Sequence, residues 1–183
     1  MKIRFFFLTV FFSFCFLGNA QTDTFQDEII NYLKVIGIND QYSIAYEGTY
    51  NVIQKQFIAA DIPEGVWTEL KSNKDKDIND VLALLSSAYR KHFTEEDIAG
   101  MLAFYSSEVG EELLQGDKNP SEENAALVDE FFASELGLKI NATKSVLAAD
   151  VSQVSEYWSK DLFIATMTSL VKKGYKTTPK TPK

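Results

Sequence analysis

Residues 94–113 read TEEDIAGMLAFYSSEVGEEL, and residues 121–140 read SEENAALVDEFFASELGLKI. Each stretch opens on a hydroxyl residue followed by acids, the pattern of a capped helix start. Thr94 is placed to accept from the N–H groups of the next turn, and Asp97 to reach back to the Thr94 amide. Phe93 and Ile98 flank that cap at stapling positions, and Glu95, Glu96 and Asp97 sit at the positive end of the helix dipole. Ile98, Met101, Leu102 and Tyr105 then line one face. Aligned without a gap, the two stretches share seven of twenty residues, among them Phe104/Phe131, Ser107/Ser134 and Gly110/Gly137. Composition alone gives roughly one or two such identities. The pairing predicts a duplicated helix-kink-helix unit. Ser107 and Ser134 cap a fresh helix after each aromatic pair, and Gly110 and Gly137 let that helix start close against a neighbour. Thr94 and Ser121 hold the equivalent first caps.

Helical spacing extends outward on both sides. Phe25, Ile29, Leu33 and Ile36 fall four, four and three apart, and Gly37 stops the run. Tyr42, Ala45, Tyr46, Thr49, Ile53 and Phe57 continue on a second helix. Pro63 suits the first turn of a short third helix carrying Val66, Trp67 and Leu70. The polar stretch 71–80 reads as a loop or a solvated helix start, and Ile78, Leu82, Leu85 and Tyr89 mark a fourth helix. A long last helix is expected from about Thr143 to Lys172, with Leu147, Val151, Val154, Trp158, Leu162 and Ala165 as its stripe. No stretch alternates as a strand would. The predicted fold is all-α: an irregular bundle of short antiparallel helices with an internal helix-kink-helix repeat.

The N-terminus carries an address. Lys2 and Arg4 precede an apolar run of roughly 13 residues, short of the about 20 that a spanning helix needs. Gly18-Asn19-Ala20 then puts small residues at the positions a signal peptidase reads. The expectation is a cleavable signal peptide over 1–20, a secreted or periplasmic protein beginning at Gln21, and no transmembrane segment after cleavage. The only cysteine, Cys15, lies in this leader, so the exported chain offers no disulfide and no thiolate. The segments expected are 1–20, a single helical domain over 21–171, and a basic disordered tail over 172–183. The body 21–171 holds 11 basic against 26 acidic residues, which repels nucleic acid and anionic membranes.

At Tyr89, His92-Phe93-Thr94-Glu95-Glu96, Phe104-Tyr105, Ser107 and Gly110 the chain resembles a bacterial family called domain of unknown function 2059. The resemblance implies a small exported helical protein and brings no activity, substrate or catalytic residue. The family's usual proline after the serine is Glu108 here, and Glu135 in the second copy. The cap argument survives that change, and the stiffness of proline does not.

Few residues offer chemistry. His92 is the only histidine and reads as a surface or capping residue. Asp75, Asp77 and Asp80 lack a calcium loop's glycine and alternate with lysines. No phosphate loop or dinucleotide fingerprint occurs. No catalytic residue, metal site or cofactor is identified. Phe104, Tyr105, Phe131, Phe132 and Trp158 stand as a candidate groove for an unknown protein or small ligand, set against a purely structural role for the same rings. The favoured reading is a non-enzymatic exported protein that binds through helical surfaces. Its alternative is a carboxylate-based hydrolase or lyase of the cell envelope, for which Glu111-Glu112 and Glu122-Glu123 form an acid-base candidate.

Overall fold

A computed structural model describes residues 23–116 and 121–178, helices joined by short turns and irregular links. The signal-peptide expectation over 1–20, with its cleavage before Gln21, lies outside them, as do the last five residues of the tail.

The chain forms α1 (Thr24–Val35), α2 (Ile38–Gln56), a 3-10 turn (Ile58–Ala60), α3 (Glu64–Leu70), α4 (Lys74–Arg90), α5 (Glu95–Tyr105), α6 (Glu108–Gln115), α7 (Glu122–Ala133) and α8 (Glu135–Lys172). Among the described residues there is no strand, and the fold is an all-α bundle. Gly37 ends α1 in the left-handed region at φ 77°, where a side chain would be strained. It turns the chain into α2 within two residues. Pro63 sits one position earlier than expected, as the extended N-cap of α3 at ψ 145°. The preceding Asp61 is left-handed at φ 44°, so the turn closes before the proline rather than inside the helix. Of the polar stretch 71–80, only the first three residues are turn and the rest is the solvated start of α4.

The core lies where α1, α2, α4, α5 and α8 meet. Ile29 and Leu33 from α1, Val81, Leu82 and Leu85 from α4, Ile98 and Met101 from α5 and Leu170 from α8 are all but inaccessible to solvent. The tyrosines of α2 recur every four residues, so Tyr42, Tyr46 and Tyr50 share one face and all are buried. Buried hydroxyls need partners: the Tyr50 hydroxyl donates to the Leu70 carbonyl at 2.8 Å, and Tyr46 donates to Tyr50 at 3.4 Å. Lys71 and Lys74 close this stack from outside, both bonding the Glu47 carboxylate at 2.7 and 2.9 Å.

Two boundaries differ from expectation. The last helix begins at Glu135, not near Thr143, and runs 38 residues, so the second kink and the last helix are one element. The polar residues Asn141 and Lys144 are exposed on the outside of this continuous helix. Residues 173–178, expected to belong to the disordered tail, are ordered instead. They are tied to the body: Lys173 makes two 2.9 Å contacts with Glu69, the Thr178 amide donates to the Gln56 carbonyl at 2.7 Å, and Tyr175 packs on the core. The Thr178 contact satisfies the Gln56 carbonyl left open at the end of α2.

Candidate functional site

A cavity of about 380 Å³ opens between α1, α2, α4 and α8. The local sequence explains its walls. Leu33, Ile38, Leu85 and Val151 supply an apolar lining from four helices. Tyr42 and Trp158 form one side as an edge-to-face pair, ring centres 5.1 Å apart at 78°, the arrangement ring quadrupoles prefer. The polar groups sit together: Ser155 donates to the Val151 carbonyl at 2.8 Å, so at 2.5 Å its oxygen accepts from the Tyr42 hydroxyl. Gln41 and Ser159 complete this polar rim. Among the described residues no carboxylate lines the cavity. The indole N–H of Trp158 donates to the Asp77 carbonyl at 3.2 Å, which fixes the ring as a wall between this cavity and a second recess.

The second recess, about 240 Å³, is acidic. Asp77, Asp80 and Asp161 line it against the other side of Trp158, with Leu162 and Ala165. Burial above all, then the neighbouring Asp80 charge, pushes the Asp77 carboxyl up, with Lys76 and Tyr46 opposing in part. Lys76 itself bonds Asp80 at 2.5 Å. Among the described residues no group of three or more His, Cys, Asp or Glu is placed to hold a metal ion.

The residues singled out in the two kinked segments fall at matching places. Thr94 makes the full capping box with Asp97, and Ser121 accepts from the Asn124 amide at 3.1 Å. Ser107 accepts from the Gly110 amide at 3.2 Å and donates to the Phe104 carbonyl at 2.6 Å. Ser134 does the same with Gly137 at 3.1 Å and Phe131 at 2.6 Å. Both glycines are buried. A Cβ on Gly110 would lie 2.1 Å from the Phe104 carbonyl oxygen, and one on Gly137 2.4 Å from that of Phe131.

Phe104 and Phe131 stack face to face, centres 3.7 Å apart and 4° from parallel. Tyr105 meets Phe104 edge-on at 5.1 Å and Phe132 meets Phe131 edge-on at 5.2 Å. The crossed pairs, Phe104–Phe132 and Tyr105–Phe131, are 6.2 and 6.3 Å apart. The quartet therefore looks nearly the same from either segment. The polar contacts follow the same exchange. Asn124 of α7 bonds Glu112 of α6 at 2.5 Å. At the aligned positions, Asp97 of α5 pairs with Lys139 of α8. The segments differ in depth: α5 buries Ile98 and Met101, and α7 buries none of its described residues.

Trp158 does not join the quartet. Along α8 it stands 24 residues beyond Ser134, about 36 Å at 1.5 Å per residue, and it packs on Tyr42 instead. The five-ring groove expected from sequence thus separates into two places. Phe132 is the most open ring of the quartet, 37% exposed. His92 bonds Asp150 at 3.0 Å and Lys91 reaches the same carboxylate at 3.4 Å, tying the end of α4 to α8. Glu112 is engaged by Asn124, while the side chains of Glu122 and Glu123 lie outside the described residues. The cavity itself was not legible in sequence: Gln41, Tyr42 and Ser155 carry no motif, and only the tertiary packing of α2 on α8 brings them together.

These features define a class: a small all-α protein made of short capped helices folded back on one long C-terminal helix. Within it, residues 79–128 match the model of a family described as an uncharacterized protein conserved in bacteria (DUF2059). The matched segment spans most of α4, all of α5 and α6 and the first half of α7, and it contains Tyr89, His92–Glu96, Phe104-Tyr105, Ser107 and Gly110. The resemblance read at those residues holds. No curated protein and no solved structure matches the chain.

Proposed function

We propose that this is an exported, non-enzymatic protein that holds a small, mostly apolar ligand in the cavity walled by Tyr42 and Trp158. The observation that carries this reading is the character of that cavity. It has the size of a small-molecule site, an apolar lining and a few polar groups gathered on one side, which is how such sites recognise ligands. The signal-like leader supports export. The aromatic quartet is assigned a structural role, as the joint between two copies of a duplicated helix-kink-helix unit: its rings spend their faces on each other. The identities between 94–113 and 121–140, the paired serine caps and the exchanged polar contacts support the duplication.

The test uses a chain with Trp67→Phe, so that Trp158 reports alone. Titration with the apolar probe N-phenyl-1-naphthylamine should change Trp158 emission and saturate. Ala45→Phe, which fills the mouth of the cavity from an exposed position on α2, should abolish saturation without loss of helix. An unchanged titration in the filled variant would refute the site.

One observation favours a second reading. The raised Asp77 carboxyl beside Asp80 and Asp161 is the arrangement a carboxylate hydrolase or lyase uses to keep an acid protonated. Turnover of an envelope polymer that is lost in Asp77→Asn would favour it over binding.

A further inference from the structure

The outward face of α8 has no partner among the described residues. Leu138, Val146, Tyr157, Ile164 and Val171 are 50–61% exposed there, and the intervening Ala142 and Ala149 are exposed too. Together with Gln153, Lys160 and Thr168, these positions recur three and four residues apart in an 11-residue pattern. That period, 3.67 residues per turn, follows a nearly straight helix closely. The row therefore stays on one face for about 50 Å. The opposite face, through Leu147, Val151, Val154 and Trp158, packs on the core. Single exposed apolar residues are ordinary, whereas seven along one helix face, interrupted by Gln153, Lys160 and Thr168, mark an interaction surface.

We propose that this row is the interface of a homodimer, in which α8 pairs antiparallel with α8 of a second copy about a two-fold axis at Gln153. The register follows from side-chain size. Positions equally far on either side of Gln153 face each other, so Ala149 meets Tyr157 and Ala142 meets Ile164. Each large side chain meets a small one, and Val146 meets the alkyl stem of Lys160. A parallel pair in register sets alanine against alanine and tyrosine against tyrosine, leaving gaps and clashes. The ends agree in charge. Glu135 in the first turn of α8 comes level with Val171 of the partner copy, one residue from Lys172 in its last turn, twice by symmetry. Both side chains are exposed, and the helix dipoles oppose. A face about 50 Å long and about 11 Å wide covers roughly 550 Å² on each copy, near 1,100 Å² in all. That lies at the low end for stable association, so the dimer is reversible.

The experiment uses the full chain with Cys15→Ser, so that introduced thiols stand alone. Gln153→Cys should form a covalent dimer on mild oxidation, since its two copies meet on the axis. Ala142→Cys alone should not, yet mixed with Ile164→Cys it should. Val52→Cys, exposed on α2, should stay monomeric. Sedimentation velocity should show a reversible dimer, with Ile164→Glu weakening it at least about tenfold at unchanged helix content. A monomer up to roughly 1 mM would overturn the proposal. So would cross-linking through Val52→Cys as efficient as through Gln153→Cys, a dimer indifferent to Ile164→Glu, or a monomer that instead floats with phosphatidylglycerol vesicles.

Discussion

Replacing glycine by alanine within a helix ordinarily stabilises it by about 1 kcal/mol, because the backbone loses freedom in the unfolded chain. Two helical glycines here should respond with opposite signs. Gly48 lies mid-way along α2, exposed, with nothing within 4 Å of where its Cβ would stand. Gly48→Ala should therefore add about 1 kcal/mol, or about 2–4 °C in Tm for a chain of this size. Gly110 stands in the first turn of α6, where a Cβ would meet the Phe104 carbonyl oxygen at 2.1 Å and the Tyr105 Cα at 2.6 Å. Both contacts are backbone, so no rotamer change relieves them and α5 and α6 must part. Overpacking costs about 1–3 kcal/mol where side chains yield. With rigid neighbours the upper end applies, and the helix-propensity gain offsets only part of it. Gly110→Ala should lose about 2 kcal/mol net. Urea denaturation followed by circular dichroism at 222 nm measures both. If Gly110→Ala equals or exceeds wild type, the kink is not held by the close approach described, and the structural account of Gly137 fails with it.

Phe104→Ala should cost about 1–3 kcal/mol, below the range for a fully buried phenylalanine, since the ring is half-buried. A double-mutant cycle with Phe131→Ala should give a coupling of about 0.5–1.5 kcal/mol, and additivity would mean the stack is incidental. Acid should unfold the protein in a defined window. The Lys71 and Lys74 ammonium groups hold the Glu47 carboxyl below its usual 4.5. Burial raises Asp97, but Lys139 and Thr94 outweigh it and leave it below its usual 3.8. Depressed carboxyls stabilise above their unfolded values, so Tm should hold down to about pH 4.5 and fall as these groups protonate below it. Asp77 has the opposite sign, being raised, so Asp77→Asn should raise Tm at pH 7; a fall would contradict its burial. Mass spectrometry of exported protein should find Gln21 at the N-terminus, and an intact Met1 would end the export reading.

Much of the architecture was legible before any coordinates, because it is local. Hydroxyl caps, acids in first turns, a left-handed glycine and apolar residues at helical spacing each act within a few residues. The helix starts at Thr94, Ser107, Ser121 and Ser134 and the turn at Gly37 therefore needed only the sequence. The misjudged boundaries share one cause. α8 runs unbroken from Glu135 through the polar Asn141 and Lys144, because burial of its other face outweighs weak local preference. The tail over 173–178 likewise gains its order from Glu69 and Gln56, which nothing in its own composition announces. The stacking of Phe104 on Phe131, the separation of Trp158 from that stack, and the cavity joining Gln41, Tyr42 and Ser155 were decided by tertiary structure alone. Each depends on which helix face meets which across more than a hundred residues of chain in the case of Tyr42 and Ser155. Periodicity shows that a helix has an apolar face. Only packing decides what that face meets, and whether space is left between.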